Sequence, residues 1–227
     1  MKSIFLSYTL SNSTPAYGNK GLLEINEISS IMNGDSCNKS ELHIESHIGT
    51  HIDAPYHFDQ QGMSLEKYQA DFWVCNNPFL IHYPAKPEEI IQINFEKELA
   101  SMPDDTDILL IKTNFSRYRN ISPTKYIFNG PGITPDLGYY LRENSNIKMI
   151  GFDFISLSSY ANRQLGRQAH KAFLARLDID NDSLDPILII EDMNLSLLQT
   201  TPLKIIISPI RFDFSDGSPA TVIAMLE

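Results

Sequence analysis

The sequence predicts a mixed α/β fold in a single domain spanning residues 1–227. Three observations point there: eight short segments rich in β-branched and aromatic residues, three segments with helical periodicity, and an order that interleaves them without strict strand–helix alternation. A chain of 227 residues buries roughly 70–75% of its unfolded surface as one domain, so no disulfide or structural metal is needed merely to hold a core. No internal repeat, low-complexity stretch or long linker marks a second domain.

In chain order, strands are expected at 21–28, 41–48, 79–83, 108–113, 148–154, 187–191, 203–214 and 220–226. Helices are expected at 88–100, 135–143 and 158–177, where apolar residues recur at three- and four-residue spacing. The middle helix has a defined start, because Thr134 can cap it, Pro135 suits its first position and Asp136 favours its first turn. Asn129-Gly130-Pro131-Gly132 breaks the chain before that helix, and Asp216-Gly217-Ser218-Pro219 is expected to join the last two strands as a hairpin.

Charge narrows the partners. Eighteen Lys and Arg stand against 28 Asp and Glu, a formal net charge of −10, with no basic block. The footprint that neutralises phosphates is therefore missing, which argues against nucleic acid and an anionic membrane and leaves small polar or uncharged substrates. No apolar run approaches the roughly 18 residues of a membrane helix, and the apolar start Ile4-Phe5-Leu6 is too short for a secretory signal. Cys37 and Cys75 lack metal or redox spacing and suit unpaired thiols, so a cytoplasmic location is expected.

The histidines are unevenly placed. His43, His47, His51 and His57, four of six in the chain, fall in a 15-residue window where uniform placement would put about 0.4. The stretch His47-Ile48-Gly49-Thr50-His51-Ile52-Asp53-Ala54-Pro55-Tyr56-His57 reads HxGTHxDxPxH. Its two imidazoles and one carboxylate within seven residues are a ligand set for Zn²⁺ or Mn²⁺, which accept nitrogen and oxygen donors. Gly49 lets the backbone bend between His47 and His51, and Pro55 stiffens the exit towards His57.

This stretch resembles the signature of the cyclase superfamily, which includes bacterial kynurenine formamidases (arylformamidases) and isatin hydrolases. Three further segments are similar to that pattern: 58–65 (FDQQGMSL), 150–156 (IGFDFIS) and 216–219 (DGSP). The resemblance implies a mixed-sheet swivelling β/β/α domain, assembled as a homodimer or homotetramer. It implies that His47, His51 and Asp53 bind one divalent ion, and that Asp53 bridges to a second ion held by His170 and Glu191. Zn²⁺ is expected, or Mn²⁺, with one or two ions per subunit. His57 matches the acid/base residue.

The residues themselves agree with that assignment. His170, Phe173, Leu174 and Leu177 share one helical face, which places His170 inward. Glu191 ends the apolar run 187–190, where an uncompensated carboxylate is costly to bury. Asp192 stands beside it, but the family pattern places Glu first, and Asp153 and Ser156 are expected to brace the site rather than bind metal. His43 and His82 are left to packing, with Glu45 as the expected neighbour of His43.

A divalent ion lowers the pKa of bound water from 15.7 towards about 7 and so supplies a nucleophile without serine or cysteine. The expected reaction is hydrolysis of an amide C–N bond in a small substrate, arylformamidase-like, with His57 delivering a proton to the leaving atom. Cyclisation, dehydration or lactone opening on the same residues is the alternative, and a non-catalytic metal-binding scaffold a third. Kynurenine formamidases carry an aromatic followed by Pro-Gly-Asp-Pro near the N-terminus. Here Tyr17 matches the aromatic, but the residues after it are Gly18-Asn19-Lys20, which leaves the substrate open.

Overall fold

Four apolar segments form the parallel half of the main sheet of the protein, whose computed structural model describes residues 2–179 and 182–227. Strands Pro78–His82, Ile108–Lys112, Met149–Phe152 and Leu188–Glu191 lie side by side in that order, all parallel. Strand Ile108–Lys112 is buried at every position, as expected for a parallel strand covered on both faces. Successive side chains point to opposite faces, and the two largest apolar clusters divide accordingly. Leu109, Ile111, Ile150, Phe152 and Ile189 enter one; Ile108, Leu110, Met149, Leu188 and Ile190 enter the other.

The antiparallel half begins where the short strand His51–Asp53 pairs with Leu188–Glu191 on one side and Gly217–Leu226 on the other. Strand Lys204–Pro209 then pairs with Gly217–Leu226 and with Val74–Cys75, and Lys2–Phe5 also pairs with Gly217–Leu226, giving nine strands. Helices Pro135–Asn144 and Arg163–Leu174 cover one face, packing Leu137, Leu141, Ala169, Phe173 and Leu174 into the first cluster. The outlying hairpin Leu23–Ser29 with Lys39–Ile44 keeps much of its surface exposed, including Ile28, Leu42 and the neighbouring Met32. Among the described residues, no helix is long and apolar enough to cross a membrane.

The structure is the mixed α/β fold expected, with corrections to individual elements. Residues 88–100 are not one helix: Ile90–Ile91 pairs in parallel with Gly132–Ile133, and only Phe95–Glu98 is helical. The chain is also broken on either side of that pairing, since Glu88 adopts a left-handed φ of 60° and the Asn94 side chain caps a fresh start by accepting from Lys97 N–H. The expected helix 158–177 is shortened to Arg163–Leu174, with Asn162 as its capping acceptor, and Leu177 belongs instead to strand Leu177–Ile179. Strand 41–48 ends at Ile44, so His47 lies in a loop. Thr134 stands at the N-cap of the middle helix, yet its side chain makes no capping bond. Gly217, Ser218 and Pro219 belong to the last strand rather than to a turn, because they pair with His51–Asp53.

Leu110 is fully buried in the second cluster, with Gly151 and Leu80 as its partners on the two flanking strands. Leu110→Ala is expected to lower unfolding free energy by about 2–5 kcal/mol. Ile121, which is 77% exposed, should give a change within about 0.5 kcal/mol when truncated to Ala. Urea unfolding of both variants checks the contrast.

Candidate active site

Strand His51–Asp53 sets the geometry, since alternation puts His51 and Asp53 on one face and the fully buried Ile52 on the other. The antiparallel register places Glu191 directly opposite His51. His51 Nε2 lies 3.4 Å from Asp53 Oδ1 and 3.5 Å from Glu191 Oε2. His170 approaches the same two carboxylates from helix Arg163–Leu174, its Nε2 at 3.5 Å from Asp53 Oδ2 and 3.4 Å from Glu191 Oε1. All four residues are at most 5% exposed.

Both buried rings are oriented by their other nitrogen. His51 Nδ1–H donates to the Gly49 carbonyl at 2.8 Å, and His170 Nδ1–H donates to the Gly166 carbonyl at 2.8 Å. A carbonyl can only accept, so each Nε2 is the atom left for the carboxylates or for an ion. Gly49 makes its bond from a left-handed φ of 64°, the bend the sequence required. Glu191 is itself held, since Oε1 accepts from Leu157 N–H at 2.6 Å and from Ser156 Oγ–H at 3.1 Å.

A second group sits one step outward. His47 bonds Asp53 Oδ1 through Nδ1 at 2.7 Å and Asp216 Oδ2 through Nε2 at 2.9 Å. His57 stacks against His47 at 4.0 Å between ring centroids, with Nδ1 3.4 Å from Asp216 Oδ2. A Cβ at position 217 would overlap the His47 ring, so glycine is required there for the ring to reach Asp53. The structure thus brings together all six residues singled out by the sequence. Two triads, His51–Asp53–Glu191 and His47–Asp53–His57, each have donor atoms within 4.8 Å of one another and can hold an ion.

Electrostatics follow from packing. Burial pulls His47 down, but the Asp53 carboxylate and the bonds to Asp216 and Asp53 outweigh it and push it up to about 10. His170 is likewise lowered by burial and raised more by Asp53 and Glu191, reaching about 10, and His51 moves upward for the same reason. Burial opposes ionisation of Asp53, yet His47, His170 and His51 hold it well below the usual carboxylate range. Asp216 is held low chiefly by its bond to His47. His57 moves the other way, lowered by burial and by the nearby His47 and His170 against the pull of Asp53 and Asp216.

The neighbouring acids have different duties. Asp192 adopts a left-handed φ of 51°. Its carboxylate receives Arg119 Nε–H at 2.9 Å, Arg119 Nη2–H at 2.8 Å and the Tyr126 hydroxyl, all within the core. Asp153 accepts from Thr113 and Ser116 and makes no contact with the donor cluster, while Ser156 grips Glu191 directly. His43 is exposed and pairs with Glu41 rather than Glu45, and His82 is exposed at a strand end.

A cleft of about 350 Å³ opens above the cluster. Sequence reasoning missed Asp216 as a contributor and missed the cations Lys20, Arg163 and Arg167 on the cleft wall. The signals were present: Arg163 and Arg167 fall seven and three residues before His170, on one helical stripe, and Asp216 immediately precedes the glycine that makes room for His47.

The arrangement is a candidate metal centre at the floor of a cleft in a mixed α/β fold. The family model described as Putative cyclase matches residues 4–159, and the chain belongs to that family. It is 27% identical over 198 residues to Cyclase-like protein 1 of Oryza sativa subsp. japonica, covering 84% of this chain and 65% of that protein. The chain thus spans about two thirds of the length of that relative. It is also 27% identical over 192 residues to Kynurenine formamidase of Bacillus mycoides (strain KBAB4), covering 84% of this chain and 81% of that protein. Isatin hydrolase A from Ralstonia solanacearum shares the fold, with a TM-score of 0.77 at 19% identity over 100% of this chain and 92% of the other.

Removing Arg119 leaves the Asp192 carboxylate buried without its cation. Arg119→Met is expected to cost about 3–5 kcal/mol, read as a lower midpoint in thermal or urea unfolding. The double variant Arg119→Met/Asp192→Asn should recover part of that loss.

Proposed function

We propose that the protein is a metal-dependent hydrolase that cleaves an amide C–N bond of a small aromatic or cyclic substrate, in the manner of an arylformamidase. The observation that carries this reading is the pair of buried rings, His51 and His170, each with Nδ1–H fixed on a backbone carbonyl and Nε2 aimed at Asp53 and Glu191. Nitrogen and oxygen donors of this kind fit Zn²⁺ or Mn²⁺. His47, His51 and Asp53 would hold one ion, and Asp53 with His170 and Glu191 would hold a second. The names of the kynurenine formamidase relative and of the isatin hydrolase that shares the fold support the same reaction class.

When bound, a divalent ion supplies Lewis acidity that activates water and polarises a carbonyl. The chain supplies the rest. His57, held low in pKa, is neutral near pH 7 and is partly exposed at the cleft, with Asp216 beside its Nδ1. Its Nε2 takes a proton from the attacking water and delivers it to the leaving nitrogen. Asp216 steadies His47 and His57 together, while Ser156 and Leu157 N–H fix the Glu191 carboxylate. Cys75 is no rival nucleophile, since burial pushes its thiol up to about 12 and it lies in the far core. Assembly as a homodimer or homotetramer is part of this proposal, supported by exposed Ile28, Met32 and Leu42 around the hairpin. So is a cytoplasmic location, supported by two unpaired cysteines.

Metal analysis of the purified protein should find Zn²⁺ or Mn²⁺, and His51→Ala should lose most of it; no bound ion and no rescue by either metal would sink the reading. His57→Ala should keep its metal while kcat on N-formylkynurenine or another small amide falls by about 10²–10⁴. Turnover confined to lactones would transfer the assignment to ester chemistry.

His47 and His170 titrate near 10 without metal and are protonated at pH 7. An ion must displace those protons, so affinity should strengthen as pH rises from 6 to 8. Calorimetry in buffers of different ionisation enthalpy should report proton release on binding; pH-independent affinity would contradict the ligand set.

A further inference from the structure

We infer that the substrate carries an anionic group, a carboxylate, which Arg163, Arg167 and Lys20 receive at the lining of the cleft; the inference rests on the hydrolase reading of the same site. Arg163, Arg167 and His170 recur at i, i+4 and i+7 of helix Arg163–Leu174, so one stripe runs from the buried floor to the mouth. At 1.5 Å per residue, Arg167 stands about 4.5 Å and Arg163 about 10 Å along the axis from the ligand position. An aromatic ring or a short chain spans that interval.

The three cations are otherwise unspent. Among the described residues, no carboxylate lies within ion-pair distance of Lys20, Arg163 or Arg167. Arg163 rests on the Tyr160 ring at 3.8 Å, which holds its guanidinium over the cleft without neutralising it. Tyr17, which also lines the cleft, has a buried hydroxyl with no hydrogen-bond partner and lies within the electrostatic reach of both arginines. Phe58, Ile48 and Ile155 supply apolar surface between this group and the floor. Glu45 lines the cleft but pairs with none of the three cations.

Overall charge sharpens the point. A chain with a net charge of −10 repels anions at a distance, so a local cationic wall is what admits one. A neutral amide has no use for three unpaired cations beside an apolar patch. A carboxylate on the ring or chain of the amide uses both, and fixes which end of the molecule meets His57.

The test uses benzoate and benzamide as probes of the metal-free protein by calorimetry at low ionic strength. Wild type should bind benzoate about 10- to 100-fold more tightly than benzamide, the worth of charge-assisted hydrogen bonds. Arg163→Gln/Arg167→Gln should abolish that preference, and Arg163→Lys/Arg167→Lys should retain most of it. In the metal-loaded enzyme, the kcat/KM ratio of 4-formamidobenzoate to formanilide should fall by a similar factor in the Gln variant, through KM rather than kcat. Equal binding of the two probes by wild type, or equal losses for both in the Gln variant at an unchanged unfolding midpoint, overturns the inference. Arg-dependent benzoate binding with no amide hydrolysis supports the anion site and removes the hydrolase reading instead.

Discussion

The pairing of strand His51–Asp53 on both its edges is the constraint on which the rest depends. On one edge it meets the last parallel strand, and on the other the long C-terminal strand. Pinned between two neighbours, it cannot slip by a residue without sending Ile52 to the polar face and His51 and Asp53 into hydrocarbon. Register thus does the positioning usually left to side-chain packing, and Glu191 arrives opposite His51 by the same ladder.

Gathering two carboxylates and two imidazoles in a site at most 5% exposed is unfavourable unless each polar atom has a partner. The structure provides those partners in layers. Backbone carbonyls of Gly49 and Gly166 hold the rings, Ser156 and Leu157 hold Glu191, and Asp216 holds His47. Against burial, the carboxylates raise the pKa of His47, His51 and His170, and a divalent cation would supply the same positive charge. The adjacent Asp192 shows the contrast: its charge is met by Arg119 and Tyr126, so it has no vacancy for an ion.

Much of this was legible in the sequence, for identifiable reasons. The HxGTHxDxPxH stretch is local, so its donors, its glycine bend and its proline exit could be read together, and the inward face of His170 followed from helical spacing. The parallel strands were legible because burial on both faces leaves near-continuous apolar runs. What escaped depended on distant partners. Residues 88–100 carry helical periodicity, but Ile90 and Ile91 are claimed by Gly132 and Ile133, forty residues further on. Strand His51–Asp53 is too short to announce itself, and Asp216 reads as turn punctuation because the pairing of the residues after it, 217–219, is with a strand far away in the chain.

The donors come from positions 47 to 57, 170, 191 and 216, and the strand that braces them is the last in the chain. The chain must therefore be made beyond residue 219 before the floor of the cleft can close. Until then His47 lacks Asp216, and His51–Asp53 has at most one edge filled. Contacts of such long sequence separation form late and slowly, so the cluster is completed at the end of folding rather than at its nucleation. Any stalled or clipped product that ends before residue 216 would lack both the carboxylate that holds His47 and the strand that braces the cluster.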